Sequence, residues 1–334
     1  MRDRARDADS TAPGEIVGLG PGERELRDAV LAGLSTAQKQ IPCKFLYDDR
    51  GAELFEAICD VDEYYPTRTE IGLLARHCDE IAAALEPGLA IVDLGSGSAR
   101  KLDELLAGLC RPAAYAPIDI CRESLRAAAH RAASRHPGLH VVPVCADYTE
   151  PLELPDVFPE APRLLFFPGS TIGNFRPGEA RRFLSRLGEL AGPRGALLIG
   201  VDTTKDPQIL EAAYDDRKGV TAAFNLNVLA RLNRELGADF DLGAFSHRAV
   251  YNAARACVEM HLVSKRAQRA RVAGASFSFR EGETIHTENS FKYAPRHFAR
   301  LARAAGWAPA RCFIDDQGLF SVHLLRFAER AAPS

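Results

Sequence analysis

Three short segments of the sequence end in residue types suited to holding a nucleoside. The apolar run Ala90-Ile91-Val92-Asp93-Leu94 passes into Gly95-Ser96-Gly97, and glycines at such a turn let backbone approach a ligand closely. A second run, 114–119, closes on Asp119, whose two oxygens can accept hydrogen bonds from ribose hydroxyls. A third, 140–146, leads into Asp147-Tyr148, an acid that could meet an adenine amine and a ring that could stack on the base. The third glycine position of a dinucleotide fingerprint is filled here by Arg100, which disfavours close packing of a helix over a pyrophosphate. A nucleoside cofactor without phosphates, namely S-adenosylmethionine, suits the pattern better. Plainer readings stand beside this one. Glycine turns of structural origin are as common as ligand-binding ones, and Asp119 and Asp147 could be helix N-caps.

These residues can act together only if the segments carrying them line up. Strand candidates at 90–94, 114–119, 140–146, 163–167 and 195–201 alternate with helix-length segments near 101–109, 122–134 and 177–190. That alternation implies right-handed crossovers and a parallel sheet covered by helices on both faces, so the fold class is α/β. Ahead of it, the spacing of Leu26, Val30, Leu31 and Leu34 predicts a helix over 23–35. An aromatic-rich stretch follows at 45–65, and Pro66 is suited to start a helix through 69–85. After Asp202, helices at 207–214 and 221–236 precede strand candidates at 249–251, 257–262, 269–272 and 275–279. This is the pattern of a mixed α+β insertion before a last helix (295–305) and two last strands (308–315 and 320–326). Residues 1–14 are polar, without periodicity, and are expected to stay mobile.

Composition narrows the function classes. At 334 residues the chain should hold about two domains. Its 42 Lys and Arg against 45 Asp and Glu leave a charge of −3, without the basic surplus of a nucleic-acid footprint. No apolar run approaches the roughly 18–20 residues that span a bilayer, and the N-terminus lacks the apolar stretch of a secretory signal. A soluble, cytoplasmic protein is expected. Eight cysteines without a CxxC unit and nine histidines without HExxH or HxH predict no metal and no structural disulfide.

Several segments match a known family in order. Phe45-Leu46-Tyr47-Asp48, Glu63-Tyr64-Tyr65-Pro66-Thr67-Arg68-Thr69-Glu70, Leu94-Gly95-Ser96-Gly97 and Phe167-Pro168-Gly169-Ser170-Thr171-Ile172-Gly173-Asn174 are followed by Ala213-Tyr214-Asp215-Asp216, Phe224-Asn225-Leu226-Asn227, Asn233-Arg234-Glu235-Leu236 and Glu288-Asn289-Ser290. From about Pro42 onward the chain resembles the histidine-specific methyltransferases of ergothioneine biosynthesis. The resemblance implies a Rossmann-like class I methyltransferase sheet with a final antiparallel hairpin, plus a discontinuous α+β substrate-binding domain. The expected division is 1–38 as an N-terminal tail and helix, 66–206 with 290–334 as the cofactor domain, and 39–65 with 207–289 as the substrate domain. It also implies trimethylation of the α-amine of L-histidine to hercynine by S-adenosylmethionine, which leaves as S-adenosylhomocysteine.

Carried over by motif, Gly95, Lys101, Asp119, Asp147 and Tyr148 would bind the cofactor. Asn174 and Tyr214 would meet the histidine carboxylate and amine region, with Tyr47 and Gly169 near the amine. Tyr64, Glu288 and Ser290 would hold the imidazole, with Phe55 and Met260 packed around it; Tyr47 and Asn174 are the expected catalytic groups. On residue type alone Lys101 would be a solvated helix residue, Tyr64 and Tyr214 half-buried core tyrosines, Met260 core filler and Glu288 a surface strand residue. The implied partner is a small molecule, with no nucleic acid or membrane, and a monomer is expected. The rival readings are an N-methyltransferase for another small aromatic amino acid or amine, such as tryptophan, and a cofactor-binding regulatory protein without activity.

Overall fold

In the computed structural model, which describes residues 14–18, 22–97, 99–109, 111–156 and 158–328, the alternating strands assemble into one seven-stranded sheet. Its order is Trp307–Ile314, Phe320–Phe327, Ala196–Asp202, Arg163–Phe167, Ala90–Leu94, Ala114–Asp119, Val144–Cys145. Phe320–Phe327 alone runs against its neighbours, as the return strand of the final hairpin. The fold is α/β, of the Rossmann-like class. Residues 1–13 of the polar stretch and Cys110 lie outside the described residues.

The chain builds outward from Ala90–Leu94 on one side, then returns to Arg163–Phe167 on the other. Strand order reverses there, which opens a crevice at the carboxyl ends of those strands. All five residues of Ala90–Leu94 and all seven of Ala196–Asp202 are buried, as a sheet with both faces covered requires. Ile91 faces a core with Leu102, Phe166 and Phe320, while Val92 and Leu94 face one with Phe167, Phe183 and Trp307.

The third strand is shorter than its apolar run, because Pro143 cannot donate to a ladder; only Val144–Cys145 pairs as a strand, with an isolated bridge from Val141 to Tyr115. Its outer edge is covered by the segment at Val17, whose carbonyl accepts from Cys145 N–H at 2.7 Å.

A separate four-stranded sheet has the order Lys39–Gln40, Thr284–Phe291, Cys257–Ser264, Phe245–Asn252. Thr284–Phe291, and a helix at Asp49–Cys59, are elements that sequence periodicity did not reveal. Around this sheet pack the helices Glu23–Leu34, Asp49–Cys59 and Val220–Leu236. Leu26, Val30 and Leu34 share their core with Phe45, Phe224 and Ile285. Among the described residues no helix is long and apolar enough to cross a membrane.

Two helices of the large unit touch closely enough to constrain the crevice. Tyr65–Ala83 begins with Pro66 in its first turn and carries Glu70; Ala99–Gly108 carries Lys101. A Cβ on Gly108 would lie 2.6 Å from the Cys78 carbonyl oxygen, so glycine lets the backbones meet. Gly108→Ala is expected to destabilise the fold by about 1–3 kcal/mol, as overpacking does. A thermal melt reads this, and an unchanged midpoint would show that the helices tolerate separation.

Candidate active site

The glycine turn is built for close approach. Gly95 has φ +83°, a left-handed conformation that disfavours side chains, and a Cβ there would meet the Tyr148 ring at 3.6 Å. Its N–H donates to the Ile118 carbonyl at 2.9 Å, which sets the turn beside Asp119. Asp119 Oδ1 accepts from Cys121 N–H at 2.9 Å; Cys121, not Asp119, is the N-cap of helix Arg122–Arg135. Burial pushes the Asp119 carboxyl up to about 6.

Asp147 is no N-cap either. Its Oδ1 accepts from the N–H and hydroxyl of Thr149 at 2.8 and 2.6 Å, and its Oδ2 receives Lys44 Nζ at 2.7 Å. Burial alone would raise this carboxyl, but Lys44 and Thr149 outweigh it and hold it below the ordinary value. Lys44 also binds Glu25, so the lobe built around the four-stranded sheet, the far lobe of the molecule, reaches across to the end of the third strand.

Two atoms of this region are left wanting partners: Ser96 Oγ and Asp93 Oδ1 are buried without a hydrogen bond. A left-handed glycine under an aromatic ring, a carboxyl raised by burial and an orphaned hydroxyl fit a nucleoside offering hydroxyls and a flat base. Among the described residues, no three His, Cys, Asp or Glu side chains are arranged to hold a metal.

Lys101 is not a solvated helix residue. It is only 5% exposed, and its Nζ lies 2.7 Å from Glu70 Oε2. The same oxygen accepts from Gly169 N–H at 2.8 Å. Gly169 has φ +81°, and a Cβ there would come within 3.4 Å of Lys101 Nζ. Glu70 thereby joins the helix after the glycine turn to the loop after the fourth strand. That loop continues through the turn Thr171–Asn174. A Cβ on Gly173 would sit 2.8 Å from the Phe291 carbonyl and 3.3 Å from Ser290 Oγ, so the turn packs on the end of Thr284–Phe291 with half-buried Asn174 beside it.

On the far lobe an aromatic series lines up. Ring centroids lie 5.5 Å apart for Tyr47 and Phe55, 6.3 Å for Phe55 and Tyr64, and 6.1 Å for Tyr64 and Tyr214. The Tyr214 hydroxyl meets Ser290 Oγ at 2.7 Å. Glu288 lies two residues before Ser290 on the same strand, opposite Met260, and both are buried. Burial pushes the Glu288 carboxyl up to about 7, partly opposed by Lys292. Burial, with a smaller contribution from the Glu288 charge, raises the phenols of Tyr47 and Tyr64 well above their ordinary value; Tyr214 is raised too. All three therefore stay protonated.

The two groups of residues meet at an open cleft of about 410 Å³, lined by Tyr47, Asp48, Arg231 and Arg234 from one side and by Ile120 and Cys121, next after Asp119, from the other.

Sequence reasoning missed Lys44, Glu70, Asp202, Lys205 and Lys292. Glu70 closes the Glu63–Glu70 motif and Asp202 ends a strand on the crevice side, so both carried a signal. Lys292 carried none.

The profile of the histidine-specific, S-adenosylmethionine-dependent methyltransferases matches residues 26–327. This chain belongs to that family. It is 41% identical to a histidine N-alpha-methyltransferase of Mycolicibacterium smegmatis over 307 residues, covering 90% of this chain and 94% of the relative. It is 39% identical to the Mycobacterium tuberculosis protein of the same name over 313 residues, covering 92% and 97%. A solved structure of a possible exported protein from Bordetella parapertussis shares the fold, with a TM-score of 0.50 at 14% identity over 83% of this chain and 79% of that one. As a member of the family the chain is an enzyme that uses S-adenosylmethionine.

Glu288 makes a pH prediction. Its folded value near 7 lies above the ~4.3 of an unfolded glutamate, so the folded state binds more protons between these values. Its contribution to stability is complete below about 4 and is lost as pH rises through about 7. Glu288→Gln should flatten the decline in melting temperature over that window relative to the parent protein. Parallel curves would contradict the shifted carboxyl.

Proposed function

We infer that this chain transfers methyl groups from S-adenosylmethionine to the α-amine of L-histidine, three times, giving hercynine. The observation that carries the reading is the placement of Tyr47: it shares a cleft with Ile120 and Cys121, next after Asp119, and is joined through Phe55 and Tyr64 to the buried Tyr214–Ser290 pair. The mycobacterial relatives named for histidine methylation support the same substrate.

Bound S-adenosylmethionine would supply an electrophilic methyl on a sulfonium. Gly95, Lys101, Asp119, Asp147 and Tyr148 are proposed to hold it. Glu288 suits a ring N–H, and a hydroxyl from Ser290 or Tyr64 suits the other ring nitrogen; an apolar ring would leave these buried groups unpaired. Asn174 and Tyr214 are proposed for the carboxylate, Tyr47 and Gly169 for the amine, and Phe55 and Met260 for packing around the ring. Residues 66–206 with 290–334 form the proposed cofactor domain and 39–65 with 207–289 the substrate domain. The core shared by Leu26, Val30 and Leu34 with Phe45 adds the helix of segment 1–38 to the latter. On this reading the enzyme is a cytoplasmic monomer with a small-molecule partner, acting on neither nucleic acid nor membrane.

The amine must shed a proton before each transfer. Tyr47 keeps its own proton, so it acts by relay, accepting one proton as it passes another on. Tyr47→Phe should lower kcat by about 10–100-fold while S-adenosylhomocysteine affinity stays within about threefold; unchanged kcat would remove Tyr47 from proton transfer. Substrate identity is read by incubating the enzyme and S-adenosylmethionine with a panel of amino acids and following mass. Three added methyls on histidine are expected, and gain on tryptophan or tyrosine alone would overturn the substrate.

A further inference from the structure

Lys292 is an ammonium with no access to water, and every group around it is accounted for. Its side chain and that of Asp202 are both 0% exposed. Nζ lies 2.7 Å from Asp202 Oδ2, 2.9 Å from the Tyr214 hydroxyl and 2.8 Å from Ser290 Oγ. A lysine ammonium has three protons and no lone pair, so these three contacts exhaust it. Asp202 is held in turn by Lys205 and by the Tyr65 hydroxyl, at 2.8 and 2.9 Å to its two oxygens. Such a buried cation and anion are costly to assemble from water, and stability alone would be served as well by apolar side chains.

The arrangement dictates proton directions. Tyr214 and Ser290 each accept one bond from Lys292, and the 2.7 Å bond between them uses one hydroxyl proton. If Tyr214 donates, both Ser290 lone pairs are filled and only its proton is free. If Ser290 donates, the same holds for Tyr214. Either way one hydroxyl has an O–H left to give and no lone pair left to accept with, while the hydroxyl that donates within the pair keeps its second lone pair.

We propose that Lys292, anchored by Asp202, is a specificity-determining positioning residue that makes one hydroxyl of the Tyr214–Ser290 pair a donor that cannot accept from the substrate. That hydroxyl then selects a ligand atom with a lone pair, a carboxylate oxygen or an unprotonated ring nitrogen. Glu288, on the same strand, supplies the acceptor. One donor site and one acceptor site read a neutral imidazole, and a ring with no lone pair leaves the donor buried and unmatched. This rests on the histidine reading of the site.

Lys292→Met and Lys292→Gln test it in the full chain, with thienylalanine as the ring isostere lacking a basic nitrogen. Glutamine can donate to Asp202 but also accept, so it breaks the rule while keeping a polar contact. Both variants should raise KM for histidine about 10–100-fold with kcat within about threefold. The preference for histidine over thienylalanine should fall by a similar factor, with S-adenosylhomocysteine affinity retained. Ser290→Ala should add little on the Lys292→Met background, as expected of residues acting as one unit. Equal losses for both amino acids, effects of Lys292 and Ser290 that multiply, or failure of both variants to fold would each overturn the proposal and leave Lys292 a structural residue. If the parent enzyme methylates another amino acid instead, the substrate reading falls, while the coupling of Lys292 to Ser290 is still tested on that substrate.

Discussion

One oxygen of Glu70 receives both Lys101 Nζ and Gly169 N–H, and much of the site depends on that shared atom. Lys101 belongs to the helix after the glycine turn, Gly169 to the loop after the fourth strand, and Glu70 to the helix Tyr65–Ala83. The carboxylate is 1% exposed, so neither partner can be replaced by water. Removing one member of a buried pair strands the other charge at a cost of about 3–5 kcal/mol, far more than a surface bridge contributes. The crevice that sheet topology merely permits is thus held to one width. Gly200 makes room for the acid, since a Cβ there would fall 1.9 Å from Glu70 Oε1.

Asp202 does for the second lobe what Glu70 does for the first. It ends the fifth strand, donates its N–H to Ser170 Oγ at 2.9 Å, and gathers Lys292, Lys205 and Tyr65 around its carboxylate. Ser170 lies in the loop that Glu70 grips, and Lys292 lies just beyond the strand that carries Glu288 and Ser290. The two buried acids therefore connect through a few residues of one loop. Hydrogen bonds of fixed direction thus link the two lobes.

What could be read from the sequence follows from the range of the interactions. Gly95, Asp119 and Asp147 were legible because each stands directly after an apolar run, and a parallel sheet brings such ends together whatever else the chain does. Lys101 was misplaced as a solvated side chain because its partner lies in a different helix, and helix periodicity says nothing about a pair formed across the fold. Thr284–Phe291 was invisible for a related reason. With Ile285 and Phe291 its only large apolar residues, its remaining positions carry Thr, His, Glu, Asn and Ser, the composition of a loop. It is a central strand because neighbours on both sides supply its backbone partners, and its polar residues Thr287, Glu288 and Ser290 are buried. The helix Asp49–Cys59 holds one aromatic residue, Phe55, and was passed over because the stretch 45–65 around it was read for its aromatic content. The family resemblance pointed to Glu288 and Ser290 where pattern did not.

The electrostatics of the far lobe bear on why phenols dominate it. A methyl acceptor must be a neutral amine, yet an amino acid in water carries an ammonium. Tyr47, Tyr64 and Tyr214 are held protonated by burial, so they offer dipoles and no net charge. The one acid among them, Glu288, is itself raised to about 7 and on the present reading is engaged by the ring. A buried surrounding of neutral hydroxyls lowers the affinity of an amine for its proton, because the charged form loses more hydration than the neutral one. An ionised carboxylate at the amine would do the reverse. The trimethylated product is a cation that no loss of proton can neutralise, so the same surroundings that favour the reactive amine disfavour the finished product and promote its release.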